Sequence, residues 1–203
     1  MAARKTAGKK KSQPGQLRIV AGIWRSRLLQ IADVPGLRPT SERIRETLFN
    51  WLGPEIHGAR CLDLCAGTGA LGLEALSRGA AGAEFVEKSS QAAAVLRKNA
   101  ESLGAGDAVI VNAEAERYLE QAQHESFDIV FLDPPFAAEL HGKLCRLLDE
   151  QGWLADDARI YVEMDKGQSE ALLPNSWQVL KNKTAGNVRY MLATAQGDDR
   201  SPD

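Results

Sequence analysis

The sequence predicts an α/β fold in which helices cover both faces of a mostly parallel sheet. The apolar run Phe127–Leu132 predicts a central strand, and it must end at Asp133 because the following prolines cannot continue a sheet. The turn Gly67-Thr68-Gly69 separates a predicted strand from a predicted helix. Short apolar runs alternate with helical stretches along the rest of the chain. These observations together favour a doubly wound sheet whose carboxyl edge binds a ligand.

Length and composition favour a single globular domain. The chain has 203 residues, of which 44% are hydrophobic, and this is enough to form a core. No run reaches the roughly 18 apolar residues of a membrane span, and the basic amino terminus lacks the apolar stretch of a signal peptide. We therefore expect a cytoplasmic protein. The three cysteines and three histidines show no metal-ligand spacing, so we expect no metal.

The charge distribution is uneven along the chain. Residues 1–45 contain eleven Lys or Arg and two acidic residues, a net charge of +9, whereas the remainder carries −11. A basic arm on an acidic body is typical of proteins that bind a polyanion. We expect disordered tails at residues 1–15 and 196–203. A tail that only adds solubility is the alternative, and it is weaker for three arginines that alternate with apolar residues: Arg18, Arg25 and Arg27.

The stretch before the core predicts a β-hairpin and a helix. Residues 16–35 form the predicted hairpin extension, with strands at 17–21 and 24–30 and a turn near Gly22. Thr40 or Ser41 can cap the following helix. One face of that helix is apolar and is formed by Ile44, Leu48, Trp51 and Leu52.

The glycine-rich turn predicts a nucleotide site. Gly67 and Gly69 let the backbone approach a ligand, and the helix amino terminus behind them favours a carboxylate or phosphate. The next predicted strand ends in Glu87, where an acid can accept both hydroxyls of a ribose. Because Gly67, Gly69 and Gly72 also satisfy the dinucleotide-binding fingerprint, a nicotinamide or flavin enzyme fits this stretch as well.

The remaining elements follow the doubly wound pattern. Predicted helices lie at residues 73–78, 90–103 and 115–123, and a further helix follows residue 136 with Leu140, Leu144, Leu147 and Leu148 on one stripe. Predicted strands lie at residues 61–64, 83–86, 108–111, 158–163, 177–181 and 188–193, and the last two form a hairpin.

The central strand ends in a group of functional side chains. Asp133-Pro134-Pro135-Phe136 places a carboxylate, a rigidly held carbonyl and an aromatic ring at one edge of the sheet. These groups suit the binding of a flat base that bears an amine. The tetrapeptide alone fits equally a strand-ending turn in which Asp133 only caps the next helix.

The two motifs together resemble a known superfamily. Asp63, Gly67, Gly69 and Glu87 followed by Asp133-Pro134-Pro135-Phe136 resemble class I S-adenosylmethionine-dependent amino-methyltransferases. Residues 36–52 (GLRPTSERIRETLFNWL) are similar to the signature of bacterial 16S ribosomal RNA guanine-N2 methyltransferases of the RsmD type, and the resemblance spans about residues 16–190. It implies a Rossmann-like methyltransferase domain at residues 36–195, with a seven-stranded, mostly parallel sheet in the order 3-2-1-4-5-7-6.

The resemblance also implies partners and residue roles. The implied cofactor is S-adenosylmethionine, and the implied partner is 16S ribosomal RNA within an assembling small subunit, bound by a monomer. The implied catalytic residues are Asp133, Pro134, Pro135 and Phe136. The implied cofactor-binding residues are Asp63, Ala66, Gly67, Thr68, Gly69, Glu87, Lys88, Glu114 and Ala115. The implied RNA-binding residues are Arg18, Arg25, Arg27, Arg38, Thr40, Arg43 and Arg45.

The sequence thus predicts methyl transfer to the exocyclic N2 of a guanine in 16S RNA, and three alternatives stay open. A DNA adenine or cytosine amino-methyltransferase uses the same tetrapeptide, but 203 residues leave no room for a sizeable target-recognition domain. A nicotinamide enzyme would need a separate substrate domain. A non-catalytic RNA-binding module would differ in keeping its function when Asp133 is replaced.

Overall fold

The computed structural model describes residues 15–121, 125–135, 140–169 and 172–195. Residues 1–14 of the predicted amino-terminal tail and all of the predicted carboxyl-terminal tail lie outside the described residues. The described chain forms a seven-stranded sheet and a separate two-stranded sheet. No helix in these ranges is long and apolar enough to cross a membrane.

The elements follow one another in the predicted alternation. The strands are β1 (Gln16–Arg18), β2 (Leu28–Gln30), β3 (Arg60–Leu64), β4 (Gly82–Val86), β5 (Ala108–Val111), β6 (Phe127–Leu132), β7 (Leu154–Asp165), β8 (Trp177–Ala185) and β9 (Val188–Ala195). The helices are α1 (Glu42–Leu52), α2 (Ala70–Ser77), α3 (Ser90–Leu103), α4 (Ala115–Leu119) and α5 (His141–Glu150), and a 3-10 turn, Gly53–Ile56, follows α1.

The large sheet has the order β5-β4-β3-β6-β7-β9-β8. Counted from β3, this is the predicted order 3-2-1-4-5-7-6. Strands β3 to β7 are parallel, and β9 is antiparallel to both of its neighbours. Successive strands are added on one side of β3 up to β5 and on its other side from β6 onwards, so a crevice opens between β3 and β6 at their carboxyl ends.

Two apolar clusters pack on the two faces of the sheet. One contains Phe131 and Tyr161 together with buried residues of α1, α2 and α3. The other contains Val130 and Ile160 with buried residues of α4 and α5. Neighbouring residues of β6 thus enter opposite clusters, as expected for a strand that is buried on both faces.

The amino-terminal hairpin exists, but its strands are shorter than predicted. The backbone N–H groups of Val20 and Ala21 donate to the carboxylate of Glu74, at 2.8 and 2.9 Å, instead of to a partner strand. At the tip, Gly22 has a φ of 83°, and an added Cβ would lie 1.7 Å from the Ser77 carbonyl oxygen. Contacts to α2 therefore replace the pairing that an extended hairpin would require.

Other element ends differ less from the prediction. Ser41 caps α1, since its side chain accepts from the Ile44 N–H at 3.3 Å. Helix α4 ends at Leu119, and residues 122 and 123 of the longer predicted helix lie outside the described residues. Strand β7 begins earlier than predicted, where Leu154 pairs with Phe127 of β6, and strands β8 and β9 extend because their ladder continues through polar positions.

Candidate active site

Four carboxylates lie at the carboxyl ends of adjacent parallel strands. Asp63 lies in β3, Glu87 follows β4, Asp133 follows β6 and Glu163 lies near the end of β7. These strands are neighbours in the order β4-β3-β6-β7. The sheet topology therefore gathers residues from distant parts of the chain at one edge, as the sequence predicted for the first three.

The glycine loop follows β3 and is bonded to Glu87. Gly67 has a φ of 55°, and its N–H donates to Glu87 Oε2 at 2.8 Å. Glu87 Oε1 accepts from the Ser89 N–H at 2.6 Å. Each carboxylate oxygen has a second lone pair, so Glu87 can still accept ribose hydroxyls while it holds the loop.

The loop fits a nucleoside-bearing cofactor. The Thr68 hydroxyl is buried, and it has no hydrogen-bond partner among the described residues. A Cβ at Gly67 would lie 2.7 Å from Leu37 Cδ1, so the segment before α1 passes close over the loop. Gly69, whose φ is 73°, is the N-cap of α2. An orphaned donor, a closely covered glycine turn and a helix amino terminus together match the requirements of such a ligand.

Asp63 supports this loop from inside the protein. Its side chain is 3% exposed, and its Oδ2 accepts from the Gly72 N–H at 2.9 Å. The pKa of Asp63 is raised to about 8, mainly by burial; the Gly72 hydrogen bond opposes this shift, and the nearby charge of Glu87 contributes to it. Asp63 therefore fixes the first turn of α2.

The other predicted cofactor residues lie along the same edge. Ala66 is buried in the loop, and Lys88 is exposed after β4. Glu114 is the N-cap of α4 and forms an ion pair of 3.0 Å with Arg117. Ala115 is buried in the first turn of α4. Asn112, which the sequence analysis did not select, donates to the Glu87 carbonyl at 2.7 Å and ties the end of β5 to that of β4.

Asp133 lies at the centre of the edge. Thr40 Oγ1 donates to Asp133 Oδ2 at 3.2 Å, which joins the segment before α1 to the end of β6. Burial raises the pKa of Asp133 well above its ordinary value, and the charges of Glu163 and Asp63 add to this shift. Pro134 is buried and Pro135 is exposed, whereas Phe136 lies outside the described residues.

Sequence reasoning missed Glu163 and its partners. Tyr161 donates its hydroxyl proton to Glu163 Oε2 at 2.7 Å, and His141 Nε2 lies 2.7 Å from the Glu163 carbonyl oxygen. Burial raises the pKa of Glu163, and the Tyr161 hydrogen bond opposes the shift. Part of the signal was available, since Glu163 ended a predicted strand, but its place beside Asp133 depends on how β7 aligns with β6.

Arg45, one of the predicted RNA-binding residues, lies inside the protein and not on its surface. Its side chain is fully buried and forms an ion pair of 2.9 Å with Glu74. It also donates to the carbonyl oxygens of Thr40 and Arg18, at 3.2 and 2.8 Å. Arg45 therefore joins α1, α2 and the hairpin inside the protein. Thr40 was predicted to contact RNA as well, but its side chain is 7% exposed and is turned towards Asp133.

The remaining predicted RNA-binding arginines are all exposed, but they do not lie together. Arg38 and Arg43 flank Thr40 at the carboxyl edge of the sheet. Arg25 and Arg27 lie at the hairpin tip, where the Arg27 guanidinium donates to the Ser102 carbonyl at 2.9 Å in the last turn of α3. Helices α2 and α3 both begin at the carboxyl edge, so the tip lies at the opposite end of the sheet.

The fold and this edge define a class I methyltransferase. The sheet order, the glycine loop bonded to an acid after the second core strand, and the acid-Pro-Pro sequence after the fourth core strand are the features of that class.

Comparison with known proteins identifies the family. The model of the family described as "Conserved hypothetical protein 95" matches residues 17–194, and the chain belongs to this family. The ribosomal RNA small subunit methyltransferase D of Escherichia coli is 49% identical over 92% of this chain and 95% of that protein. Its Haemophilus influenzae counterpart is 45% identical over 88% of this chain and 93% of that protein. A solved structure from Escherichia coli, described as that of a methyltransferase, has a TM-score of 0.81 at 48% identity and covers 90% of this chain and 99% of its own.

Proposed function

We propose that this protein transfers a methyl group from S-adenosylmethionine to the exocyclic N2 of a guanine in small-subunit ribosomal RNA. The relatives named above are small-subunit ribosomal RNA methyltransferases, and they align over nearly their whole length. The observation that carries the proposal is the Asp133 carboxylate, which lies one strand from the glycine loop and is held by the Thr40 hydroxyl.

S-adenosylmethionine is the methyl donor of this class, and its sulfonium supplies a methyl group bonded to a positively charged sulfur. Glu87 is proposed to accept the ribose hydroxyls, and the buried Thr68 hydroxyl of the loop has no hydrogen-bond partner among the described residues. Glu114 and Ala115 follow β5 at the proposed adenine end. These roles need no proton transfer, so the residues bind and orient the cofactor only.

The chemistry required of Asp133 follows from the amine. The exocyclic nitrogen of guanine is flat, because its lone pair is delocalised into the ring, and it is therefore a poor nucleophile. Hydrogen bonds from this amine to the Asp133 carboxylate and the Pro134 carbonyl favour a pyramidal nitrogen and orient its lone pair. The ionised Asp133 carboxylate accepts these bonds more strongly than the protonated acid does. Its raised pKa makes it a stronger base than an ordinary aspartate, which suits a late proton acceptor.

The substrate base must leave its stack to reach the edge. An unpaired or extruded guanine in a ribosomal RNA loop meets this requirement. Arg38 and Arg43 are exposed beside Thr40, where they can neutralise the flanking phosphates.

The test is methyl transfer from labelled S-adenosylmethionine to small-subunit ribosomal RNA taken from cells that lack the protein. Mass spectrometry of the digested RNA should detect N2-methylguanosine with the wild-type protein and none with Asp133→Ala. Label in adenine or cytosine, or in duplex DNA offered in parallel, would overturn the proposal. RNA binding without methyl transfer by the wild-type protein would indicate a non-catalytic module.

A further inference from the structure

Glu163 lies beside Asp133 on the neighbouring strand. Strands β6 and β7 are parallel, with Phe131 opposite Tyr161 and Leu132 opposite Val162. The next pair in this register is Asp133 and Glu163. Paired residues of adjacent strands project to the same face and are about 4.8 Å apart between strand axes. Both carboxyl groups therefore project to the face that carries Phe131, Tyr161 and α1.

Each of the two carboxyl groups is held by one hydroxyl. Thr40 donates to Asp133 Oδ2 at 3.2 Å, and Tyr161 donates to Glu163 Oε2 at 2.7 Å. The contact between His141 Nε2 and the Glu163 carbonyl fixes the backbone at this position. One oxygen of each group is thus occupied, and within the described ranges no side chain or backbone donor contacts Asp133 Oδ1 or Glu163 Oε1.

This arrangement is costly without a ligand. Glu163 is 7% exposed, and no Lys, Arg or His among the residues that the structure describes forms an ion pair with either acid. Two nearby carboxylates in a poorly solvated place disfavour each other's ionisation. A ligand with two adjacent hydrogen-bond donors would relieve this cost, because each donor can satisfy one carboxylate.

We propose that Glu163 accepts the N1 hydrogen of the target guanine while Asp133 accepts a hydrogen of N2. This inference rests on the proposed function and adds the residue that selects the base. Guanine presents N1–H and N2–H as adjacent donors on one edge. Adenine presents an acceptor at N1, which would face a carboxylate and be rejected, since a buried acceptor left opposite another acceptor is strongly unfavourable. Tyr161 is a positioning residue that fixes the orientation of the Glu163 carboxylate.

The experiment compares guanine with 2-aminopurine, which keeps the amine but has an acceptor in place of N1–H. The methylated guanine is first located by mass spectrometry, and synthetic RNA fragments carrying either base at that position are ligated into the small-subunit RNA. The measured quantity is the ratio of kcat/KM for the two substrates. The test compares this ratio between enzyme variants, because the loss of O6 in 2-aminopurine affects every variant alike.

The wild-type protein should prefer guanine by at least about a hundredfold, the range for a site whose polar group is left unpaired. Glu163→Gln should lower this ratio at least about tenfold, because an amide can donate to the N1 acceptor of 2-aminopurine. Tyr161→Phe should lower kcat/KM for both substrates, but its ratio of guanine to 2-aminopurine should stay higher than that of Glu163→Gln. Glu46→Gln, at an exposed position of α1, is the control and should change neither rate.

The outcomes separate this inference from the proposed function. No methylation of the guanine RNA by the wild-type protein would overturn the proposed function. Guanine methylation with an unchanged ratio in a folded Glu163→Gln would overturn the role of Glu163 alone. If that variant does not fold, the ratio of kcat/KM for the wild-type protein still tests the inference. Equal values for guanine and 2-aminopurine would show that nothing contacts N1–H and would overturn the role of Glu163.

Discussion

The hydroxyl of Thr40 donates a hydrogen bond of 3.2 Å to the carboxylate of Asp133, across 93 residues of sequence. Thr40 precedes α1, and its own carbonyl accepts from the buried Arg45 guanidinium. The segment before α1 is thus fixed to the protein interior on one side and to the proposed catalytic acid on the other. We therefore expect this segment to affect the methylation rate more than cofactor binding.

Replacement of the acid and of its hydroxyl partner should separate these two effects. Asp133→Ala should lower the methylation rate by orders of magnitude while changing cofactor affinity about tenfold or less. Thr40→Val should lower kcat by about tenfold, in line with the loss of one hydrogen bond to a charged group, and Thr40→Ser should restore most of it. Single-turnover rates and calorimetric titration with S-adenosylmethionine provide the measurements. Equal rates for the Val and Ser variants would contradict a role for the hydroxyl.

The glycine loop yields a prediction about the cofactor. Glu87→Ala should weaken S-adenosylmethionine binding by roughly 1.5 to 3 kcal/mol, the range for a lost charge-assisted hydrogen bond, and should leave RNA affinity unchanged. Part of this loss arises from the loop, because Gly67 and Ser89 would each lose an acceptor. Glu114→Ala, at the exposed N-cap of α4, should have the smaller effect. Cofactor affinity that survives Glu87→Ala would rule out the ribose contact.

The buried ion pair yields a prediction about stability. Arg45→Met should destabilise the protein by about 3 to 5 kcal/mol. It removes the buried positive charge that pairs with the Glu74 carboxylate, and it removes two hydrogen bonds to carbonyl oxygens. Arg43→Met, two residues earlier on the exposed face of α1, should change stability by less than about 0.5 kcal/mol. Urea denaturation of both variants measures the difference. Similar midpoints for the two variants would contradict the structural role of Arg45.

Much of the fold was predictable because local signals agreed with the tertiary structure. Helix α3 matched its prediction at both ends, since Ser89 accepts from the Ala92 N–H and Gly104 adopts a left-handed conformation. Strand β6 matched because two prolines follow Asp133. The hairpin strands were predicted too long, because the backbone N–H groups of Val20 and Ala21 donate to Glu74, which is more than 50 residues away in the sequence.

The candidate site was predictable where a motif spans a few residues and was not where it depends on register. The glycine loop, Glu87 and Asp133 follow from strand ends and turn residues. The place of Glu163 beside Asp133 depends on how β7 aligns with β6, which no local pattern determines. Arg45 was misplaced for the same reason, since only its distant partner Glu74 distinguishes it from the exposed Arg43.

The shifted pKa of Asp63 yields a prediction about pH. Burial raises the folded-state pKa to about 8, above the ordinary value of 3.8, so the folded protein favours the protonated acid. The resulting stability is complete below about pH 4 and is lost as the pH rises towards 8. Asp63→Asn keeps an acceptor for the Gly72 N–H but cannot ionise. At pH 8 we expect this variant to be more stable than the wild type by about 1 kcal/mol or more, and the difference should vanish near pH 4. Thermal melting without cofactor across this range measures it, and a constant difference would contradict the assignment.

The arginines yield a prediction about the path of the RNA. Arg38 and Arg43 lie beside Thr40 at the active edge, whereas Arg25 lies at the hairpin tip at the opposite end of the sheet. Each phosphate contact releases condensed counterion, so its removal reduces the magnitude of the negative slope of log affinity against log salt by about 0.7 to 0.9. We expect Arg38→Gln and Arg43→Gln to show this change.

The hairpin variants then determine how far the RNA extends from the active edge. If the RNA follows the face of α2 and α3, the salt slope of RNA affinity should also become shallower in Arg18→Gln and Arg25→Gln. A smaller change is expected when Arg27 is replaced, because its guanidinium already donates to the Ser102 carbonyl. Arg146→Gln is the matched control, since Arg146 is exposed on α5, which packs on the other face of the sheet. RNA affinity across a salt series measures every variant. Unchanged slopes in all the hairpin variants would confine the RNA to the active edge, and unchanged slopes in Arg38→Gln and Arg43→Gln would mean that the RNA approaches the active edge from another side.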